Sequence, residues 1–222
     1  MRSTIRIALA VMACFGVAVA AWGQRMAQPP PMYGEFKPVV GTGAQYEATA
    51  KGQKYQWTYA VVGKETVEGQ DGYWLEMRME GGPQGNVIMK HLIVMQGGKA
   101  EIKRMITQAA GQPPMEMPMM MMNMMKGKGK ASSEGMGEKV GTEPVIVPAG
   151  TFLCDHYRKS GAVAADLWVS SKIPPYGMVK MASADMNMVL VKVLSNETSQ
   201  IKGEPKKMPG MGGMQGQWSD EK

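Results

Sequence analysis

The segment Lys54–Val62, KYQWTYAVV, decides the fold because it alternates strictly along its length. Its odd-numbered positions are large and apolar: Tyr55, Trp57, Tyr59 and Val61. The even-numbered positions Lys54, Gln56, Thr58 and Ala60 are small or polar. Successive side chains of a β-strand point to opposite faces of the sheet, so this pattern predicts a strand with one buried face.

The same alternation continues on the C-terminal side. Gln70-Asp71-Gly72 forms a turn into YWLEMRME at Tyr73–Glu80, a second predicted strand. Further strands separated by Gly, Pro, Ser or Asp turns are predicted at Asn86–Met95, Lys99–Gln108, Thr151–Lys159, Ala162–Ser171, Met178–Ser183 and Met186–Ser195. Short strands with tight turns and no long amphipathic helix predict a mainly β protein. Its fold is a single curved antiparallel sheet or a half-open barrel over residues 45–202.

Three segments lack this periodicity. Residues 24–44 are rich in Pro and Gly, and residues 203–222 are rich in Gly, Met and Lys, so both are predicted to be disordered. Residues 109–142 are expected to form a long loop rich in Met, Gly and Lys within the β domain.

The N-terminus has the order of a secretory signal peptide. Arg2 and Arg6 precede an uncharged apolar run from Ile7 to Trp22, and small residues allow cleavage between Ala20 and Gln24. A lipid attached at Cys14 is the alternative, although the apolar run continues past it. We therefore expect a periplasmic or secreted protein with no transmembrane anchor after cleavage.

Charge and cysteine content narrow the function further. Removing Arg2 and Arg6 leaves 23 basic against 19 acidic residues, a net charge of about +4. The basic residues are spread among acids, so no nucleic acid is expected as a partner. Only Cys154 would remain of the two cysteines, which excludes an intramolecular disulfide in the mature chain.

A resemblance covers Val147–Met181, VPAGTFLCDHYRKSGAVAADLWVSSKIPPYGMVKM. This stretch resembles the VPAGTF, HYR, DVWVS and PYGLVK motifs of uncharacterised secreted bacterial proteins, whose strand order is similar to the LolA/LolB-like periplasmic lipoprotein carriers. The resemblance implies a curved sheet that cups acyl chains, and a lipid or lipoprotein as partner. This chain departs from the carriers in lacking clear lid helices. The sequence does not indicate an oligomeric state.

A lipophilic ligand is the first functional hypothesis. A curved sheet must cover its apolar face, either with its own side chains or with a ligand. The residues expected to line that concave face are Trp57, Tyr59, Leu75, Met77 and Leu190.

Copper is the alternative, because 25 of the 222 residues are Met and eight of these lie between Met115 and Met125. Thioether sulfur is a soft ligand that suits Cu(I) or Ag(I). The candidate ligands are Met115, Met117, Met119, Met120, Met122, Cys154 and His156. The same Met segment also suits an adaptable apolar lid or contact surface, or a loop without function.

No catalytic arrangement is predicted, so we do not expect an enzyme or a cofactor other than copper. Cys154 and His156 share one face of a strand, but no third group orients them, and a buried Cys beside a hydrogen-bonded His is the simpler interpretation. Glu76 and Glu80 are expected on a solvated polar face. A third hypothesis is a structural envelope protein whose sheet closes on its own side chains.

Overall fold

The computed structural model describes residues 32–82, 85–97, 99–128, 135–161 and 164–207. In these residues the chain forms one short helix and twelve strands. The strands are β1 Gly43–Ala50, β2 Gln53–Val67, β3 Gln70–Glu80, β4 Val87–Gln96, β5 Lys99–Ala109, β6 Met115–Glu116, β7 Glu138–Val147, β8 Gly150–Lys159, β9 Ala165–Val169, β10 Met178–Ser183, β11 Met186–Leu194 and β12 Lys206–Lys207. The helix is α1 Met119–Lys128.

All twelve strands form one open sheet in the order β12-β6-β5-β4-β3-β2-β1-β11-β10-β9-β8-β7. Every neighbouring pair is antiparallel except β12 and β6, which are parallel. The prediction of a mainly β protein with a single antiparallel sheet is confirmed, and the sheet is not closed into a barrel. The sheet curls at the β7 end, where Ala149 N–H of the β7–β8 turn donates to Leu190 C=O of β11 at 3.4 Å.

The alternation in the sequence explains the register of the central strands. Trp57 and Tyr59 of β2 lie opposite Met79 and Met77 of β3. These side chains share one face of the sheet, here called the inner face, with Tyr46 of β1 and Leu190 of β11. The inner face is a continuous apolar core, so the predicted buried face is real.

The opposite, outer face carries a second, smaller apolar cluster of Trp74, Leu92 and Ile106. Residues 195–207, here called the C-terminal strap, cross this face and pack Ile201 against the cluster. The strap is fixed where Lys202 N–H donates to Gln108 Oε1 at 3.0 Å. It ends in β12 beside β6.

The strap corrects the expectation that Glu76 is solvated. The Glu76 side chain is fully buried and accepts hydrogen bonds from Ser199 Oγ at 2.7 Å and from Gln200 N–H at 3.0 Å. Glu80, the other acid of the pair, is exposed. Alternation places Glu76 on the polar face correctly, but a segment far along the chain buries that face.

The structure also differs from several predicted boundaries. Residues 32–42 pack on the fold, with Tyr33 and Phe36 buried, and β1 begins at Gly43. The predicted loop 109–142 contains β6, α1 and the start of β7. Residues 203–207 contain β12. The predictions made for residues 1–31, 129–134 and 208–222 lie outside the described residues.

Helix α1 forms because Met is a good helix former and Pro118 stands directly before the first turn. The N–H groups of Met121 and Met122 donate to Pro118 C=O at 3.0 and 3.1 Å. Across the ranges that the structure describes, no helix is both long enough and apolar enough to span a membrane.

Candidate functional site

The five residues predicted to line a ligand site lie together in the inner face. Trp57, Tyr59, Leu75, Met77 and Leu190 all belong to one core cluster, and none is more than 4 % exposed. The rings of Trp57 and Tyr59 stack with centroids 6.3 Å apart, and Tyr46 meets Tyr59 edge-on at 5.9 Å. These side chains therefore pack tightly against one another in this conformation.

Methionine is the most frequent single residue type among the buried side chains of the inner-face cluster. The buried methionines of the cluster are Met77, Met79, Met89, Met178, Met181 and Met188. Their unbranched thioether side chains have three rotatable bonds and fill irregular space, so a methionine-lined core rearranges more readily than one built from β-branched residues. The inner face can thus change shape without a change of fold.

Residues 32–37 cover one end of the inner face as an extended segment, here called the cover. Phe36 packs on Tyr176 with ring centroids 5.2 Å apart, and Lys37 N–H donates to Pro175 C=O at 2.8 Å. Lys159 Nζ lies 5.6 Å from the centre of the Tyr33 ring. The cover is not part of the strand pairing of the sheet, so it is held by these contacts and by packing.

Gly34 lets the cover approach the loop before β10. Its φ of 141° lies in a region that side chains disfavour, and a Cβ at this position would stand 2.0 Å from Tyr176 O. Glycine is therefore required here both for the backbone conformation and for the close contact.

Three tyrosines of the inner face are uncharged at neutral pH. Burial raises the pKa of Tyr46, Tyr59 and Tyr176 well above the usual value. Tyr46 OH donates to Met178 C=O at 2.9 Å, which satisfies this buried hydroxyl. These tyrosines therefore contribute no charge to the inner face.

One polar atom of this surface has no partner. His91 of β4 lies opposite Leu75 of β3 and Met105 of β5, so it shares the inner face with them. Its Nε2 is buried and makes no hydrogen bond, and burial lowers its pKa to about 4. His91 was not among the predicted site residues, although a histidine that shares one strand face with Met89 and Ile93 was the available signal.

The residues of the copper hypothesis fall into two groups that the sheet keeps apart. Met115 lies on β6 and Met119, Met120 and Met122 lie on α1, near one edge of the sheet. Cys154 and His156 lie on β8, with eight strands between β6 and β8 in the sheet order. One ligand set that contains all of them is therefore not formed in this fold.

Cys154 and His156 have structural partners on β8. Cys154 is fully buried, its S–H donates to Phe152 C=O at 3.5 Å, and burial raises its pKa to about 11. The His156 ring stacks on Trp168 at 4.5 Å, and its Nε2 lies 2.8 Å from Asp166 Oδ1. In the described parts of the chain, no group of three or more His, Cys, Asp and Glu side chains is placed to hold a metal ion.

A wide cleft opens between the cover, the β7–β8 hairpin and the loop before β10. It has a volume of about 770 Å³ and is lined partly by Lys37, Leu153, Asp155 and Lys172. Leu153 is 68 % exposed, so the cleft opens at the surface, and its wall also includes Ile173, a buried residue of the inner-face cluster.

Comparison with known proteins does not assign a family. No protein-family model matches the chain, and no curated protein is significantly similar to it. Two solved structures are similar in outline. One is a candidate lipoprotein from Parabacteroides distasonis, with 14 % identity, a TM-score of 0.37 and coverage of 73 % of this chain and 99 % of that chain. The other is a candidate exported protein with YmcC-like fold from Bacteroides fragilis, with 13 % identity, a TM-score of 0.36 and coverage of 72 % and 99 %.

Proposed function

We propose that the chain is an exported, non-enzymatic binding protein whose inner face accepts a lipophilic ligand with a hydrogen-bonding head group. The observation that carries this proposal is the buried, unpartnered Nε2 of His91 within an otherwise apolar surface. Leaving a buried polar group without a partner costs about 1–3 kcal/mol, and ligand sites are typically apolar with a few well-placed polar groups.

Export is part of the proposal and rests on residues 1–23, whose charge and hydropathy are typical of a signal peptide. The resemblance of Val147–Met181 to secreted proteins with a LolA/LolB-like strand order supports an acyl chain as the ligand. An exported location suits that role, because lipids must cross the aqueous space between membranes on a carrier.

Entry of a ligand requires the inner face to open, because its five candidate lining residues are at most 4 % exposed. The cover is the segment best suited to move. It is extended, lies outside the strand pairing, and contributes two buried aromatic rings, Tyr33 and Phe36. Its release would uncover apolar surface, and the methionines around it would adapt to the ligand.

The neutral state of His91 fits an uncharged or hydrogen-bonding head group. With a pKa of about 4, the imidazole is neutral at pH 7 and offers one donor and one acceptor nitrogen according to its tautomer. A carbonyl, hydroxyl or carboxyl oxygen near Nε2 would satisfy the buried atom.

The test combines extraction and probe binding. The exported protein, purified without detergent, is extracted with organic solvent and its lipids are identified by mass spectrometry. Binding of a dansyl-labelled fatty acid is then measured for the wild type, His91→Leu and the control His156→Gln. We expect co-purified lipid, and a probe affinity about tenfold lower for His91→Leu only, which corresponds to one lost hydrogen bond.

Two results would reject the proposal. One is a wild-type protein that carries no lipid and does not bind the probe. The other is equal probe affinity in the wild type and His91→Leu, which would leave Nε2 without a role in binding. Circular dichroism of each variant confirms that the sheet is intact before affinities are compared.

A further inference from the structure

The wide cleft between the cover, the β7–β8 hairpin and the loop before β10 has the size and the wall of a ligand site. Its volume of about 770 Å³ falls within the range of about 300–1,000 Å³ that is typical of small-molecule sites. Such sites are mostly apolar with a few polar groups. The apolar side chains of this wall include Val39, Leu153, Val169, Ile173 and Tyr176.

Two of these apolar side chains are exposed to water. Val39 is 57 % exposed and Leu153 is 68 % exposed. Strand pairing brings Leu153 next to the loop before β10, because Val169 at the end of β9 lies opposite Asp155 of β8. Both exposed side chains would leave water beneath an apolar ligand, which favours binding of a ligand with an apolar body.

The loop before β10 is held in one conformation by its own backbone. Ser170 N–H donates to Gly177 C=O at 2.7 Å, and Gly177 N–H donates to Ile173 C=O at 2.7 Å. Ile173 N–H donates to Ser170 C=O at 3.1 Å. This backbone needs no further ordering when a ligand binds, which lowers the entropic cost of binding.

The same loop presents hydrogen-bond donors to the cleft. Ser170 lines the cleft and is only 6 % exposed, and its hydroxyl makes no hydrogen bond to any residue that the structure describes. Lys172, two residues further on, also lines the cleft and forms no ion pair within the same described ranges. Because buried polar groups are nearly always hydrogen-bonded, the Ser170 hydroxyl is suited to a ligand that accepts hydrogen bonds.

The other charged side chains of the cleft already have partners. Lys37 Nζ lies 3.0 Å from Glu35 Oε2 within the cover. Asp155 Oδ1 lies 2.7 Å from Lys139 Nζ. Among the described residues of the wall, Lys172 is therefore the charge without a counter-charge, and it matches a ligand that carries one negative charge.

We propose that the cleft binds an amphipathic monocarboxylate. Its carboxylate accepts hydrogen bonds from the Lys172 ammonium and the Ser170 hydroxyl, and charge-assisted bonds of this kind are the stronger ones. Its apolar body covers Leu153 and Val39. The site does not use His91, so it can be present or absent independently of ligand binding in the inner face.

The test is calorimetric titration of the exported protein with sodium decanoate below its critical micelle concentration. The test variants are Lys172→Glu and Leu153→Asn, which alter the two parts of the proposed site. Their matched controls are Lys192→Glu and Ile146→Asn, an exposed lysine and an 82 % exposed apolar residue that do not line the cleft. Circular dichroism checks that every variant keeps the sheet.

We expect one equivalent of decanoate to bind to the wild type and to both controls with equal affinity. The affinity should be about tenfold lower in Lys172→Glu and in Leu153→Asn, which corresponds to the loss of one contact. Decanol has the same chain without the charge, so it should bind about tenfold more weakly than decanoate to the wild type and equally to Lys172→Glu.

Three results would overturn the inference. The first is a wild type without saturable decanoate binding, and the second is equal affinity in the wild type and Lys172→Glu. The third is decanoate binding that is lost in His91→Leu but kept in Lys172→Glu. This last result would place the probe in the inner face, and would thus favour the proposed function while rejecting the cleft as a separate site.

Discussion

Two ionisable side chains of the central strands, Glu76 and His91, contain buried polar atoms, and they differ in how these atoms are satisfied. Glu76 on the outer face accepts hydrogen bonds from Ser199 and Gln200 of the C-terminal strap. His91 on the inner face has a buried Nε2 without a partner. Because buried polar groups are nearly always hydrogen-bonded, the satisfied group has a structural role, and the unsatisfied one is the atom on which the proposed ligand site rests.

Burial of His91 makes the stability of the protein depend on pH. Its pKa is about 4 in the folded protein and about 6.5 in the unfolded chain, so the unfolded state binds the proton more readily between these values. The free energy of unfolding should be highest above pH 6.5. It should fall by about 3 kcal/mol in total as the pH decreases to 4, with no further contribution from His91 below that.

Urea denaturation at half-unit pH steps measures this dependence. In His91→Leu the free energy of unfolding should change less between pH 6.5 and pH 4 than it does in the wild type. At pH 7 the variant should be as stable as the wild type or more stable, since it lacks the unsatisfied polar atom. A wild type and a His91→Leu variant with the same pH slope would show that this imidazole titrates normally in the folded state.

Glu76 should be among the most sensitive positions of the sheet. Glu76→Ala leaves Ser199 Oγ and Gln200 N–H without their acceptor and removes the carboxylate that lies 3.9 Å from Arg78 Nε. The free energy of unfolding should therefore fall by about 2–4 kcal/mol. Hydrogen exchange should increase at residues 199–202. The control Glu80→Ala alters an exposed carboxylate and should change stability by less than about 0.5 kcal/mol.

Two segments lie outside the strand pairing of the sheet. The cover packs on one end of the inner face, and helix α1 lies at the β6 edge. The cover meets the loop before β10 at Gly34 and Tyr176. Helix α1 follows β6 directly and lines a cavity of about 310 Å³ with Met117, Met119 and Met122, here called the methionine cavity. Segments with few backbone hydrogen bonds open at lower free energy than central strands. The cover and α1 should therefore open before the strands do.

Gly34→Ala should release the cover. A methyl group at this position would lie 2.0 Å from Tyr176 O, so residues 32–37 must move away from the loop. Limited proteolysis should cut the cover faster, and binding of a hydrophobic dye should increase. The matched control is Gly52→Ala, where φ is also positive at 77° but no atom lies within 4 Å of the added carbon. Equal proteolysis of the two variants would mean that Gly34 does not hold the cover closed.

How far the elements could be predicted depended on their side-chain pattern. Strands with clear alternation of large and polar residues, such as Lys54–Val62 within β2, were predicted. β1 was missed because its inward positions include Ala44 and Ala48, which are weak strand formers. β7 was missed because this edge strand is mostly exposed and carries Gly141 and Pro144, residues that normally end strands.

The candidate sites depended on contacts that no local pattern contains. Alternation placed Trp57, Tyr59, Leu75 and Met77 on one face correctly, but it does not report that the face is closed. It also cannot show that the side chain of Glu76 meets Ser199, or which of the neighbouring methionines share a cavity. Such long-range pairings arise only when the whole sheet has formed.

At the scale of the whole molecule, a single sheet carries two apolar clusters on opposite faces, each covered by one end of the described chain. The cover lies on the inner face, and the C-terminal strap lies on the outer face. The strap also pairs with β6 at the edge that holds the methionine cavity, where Lys207 lines the wall. The strap therefore couples the stability of the outer face to the shape of that cavity.

Removal of the strap should destabilise the molecule without abolishing the sheet. A chain that ends at Ser195 loses the hydrogen bonds of Ser199 and Gln200 to Glu76 and the hydrogen bond between Lys202 and Gln108. It also loses the packing of Ile201 on the cluster that contains Trp74. The free energy of unfolding should fall by about 3–5 kcal/mol, because a buried carboxylate loses its partners and apolar surface meets water. Trp74 emission should shift to the red as its ring becomes exposed.

The matched control is a chain that ends at Lys207, which keeps every one of these contacts and should unfold like the full-length protein. If the Ser195 and Lys207 chains had the same stability, the strap would be bound too weakly to cover the outer face. If only the Ser195 chain is destabilised, the strap stabilises the fold by covering the outer cluster and by pairing β12 with β6.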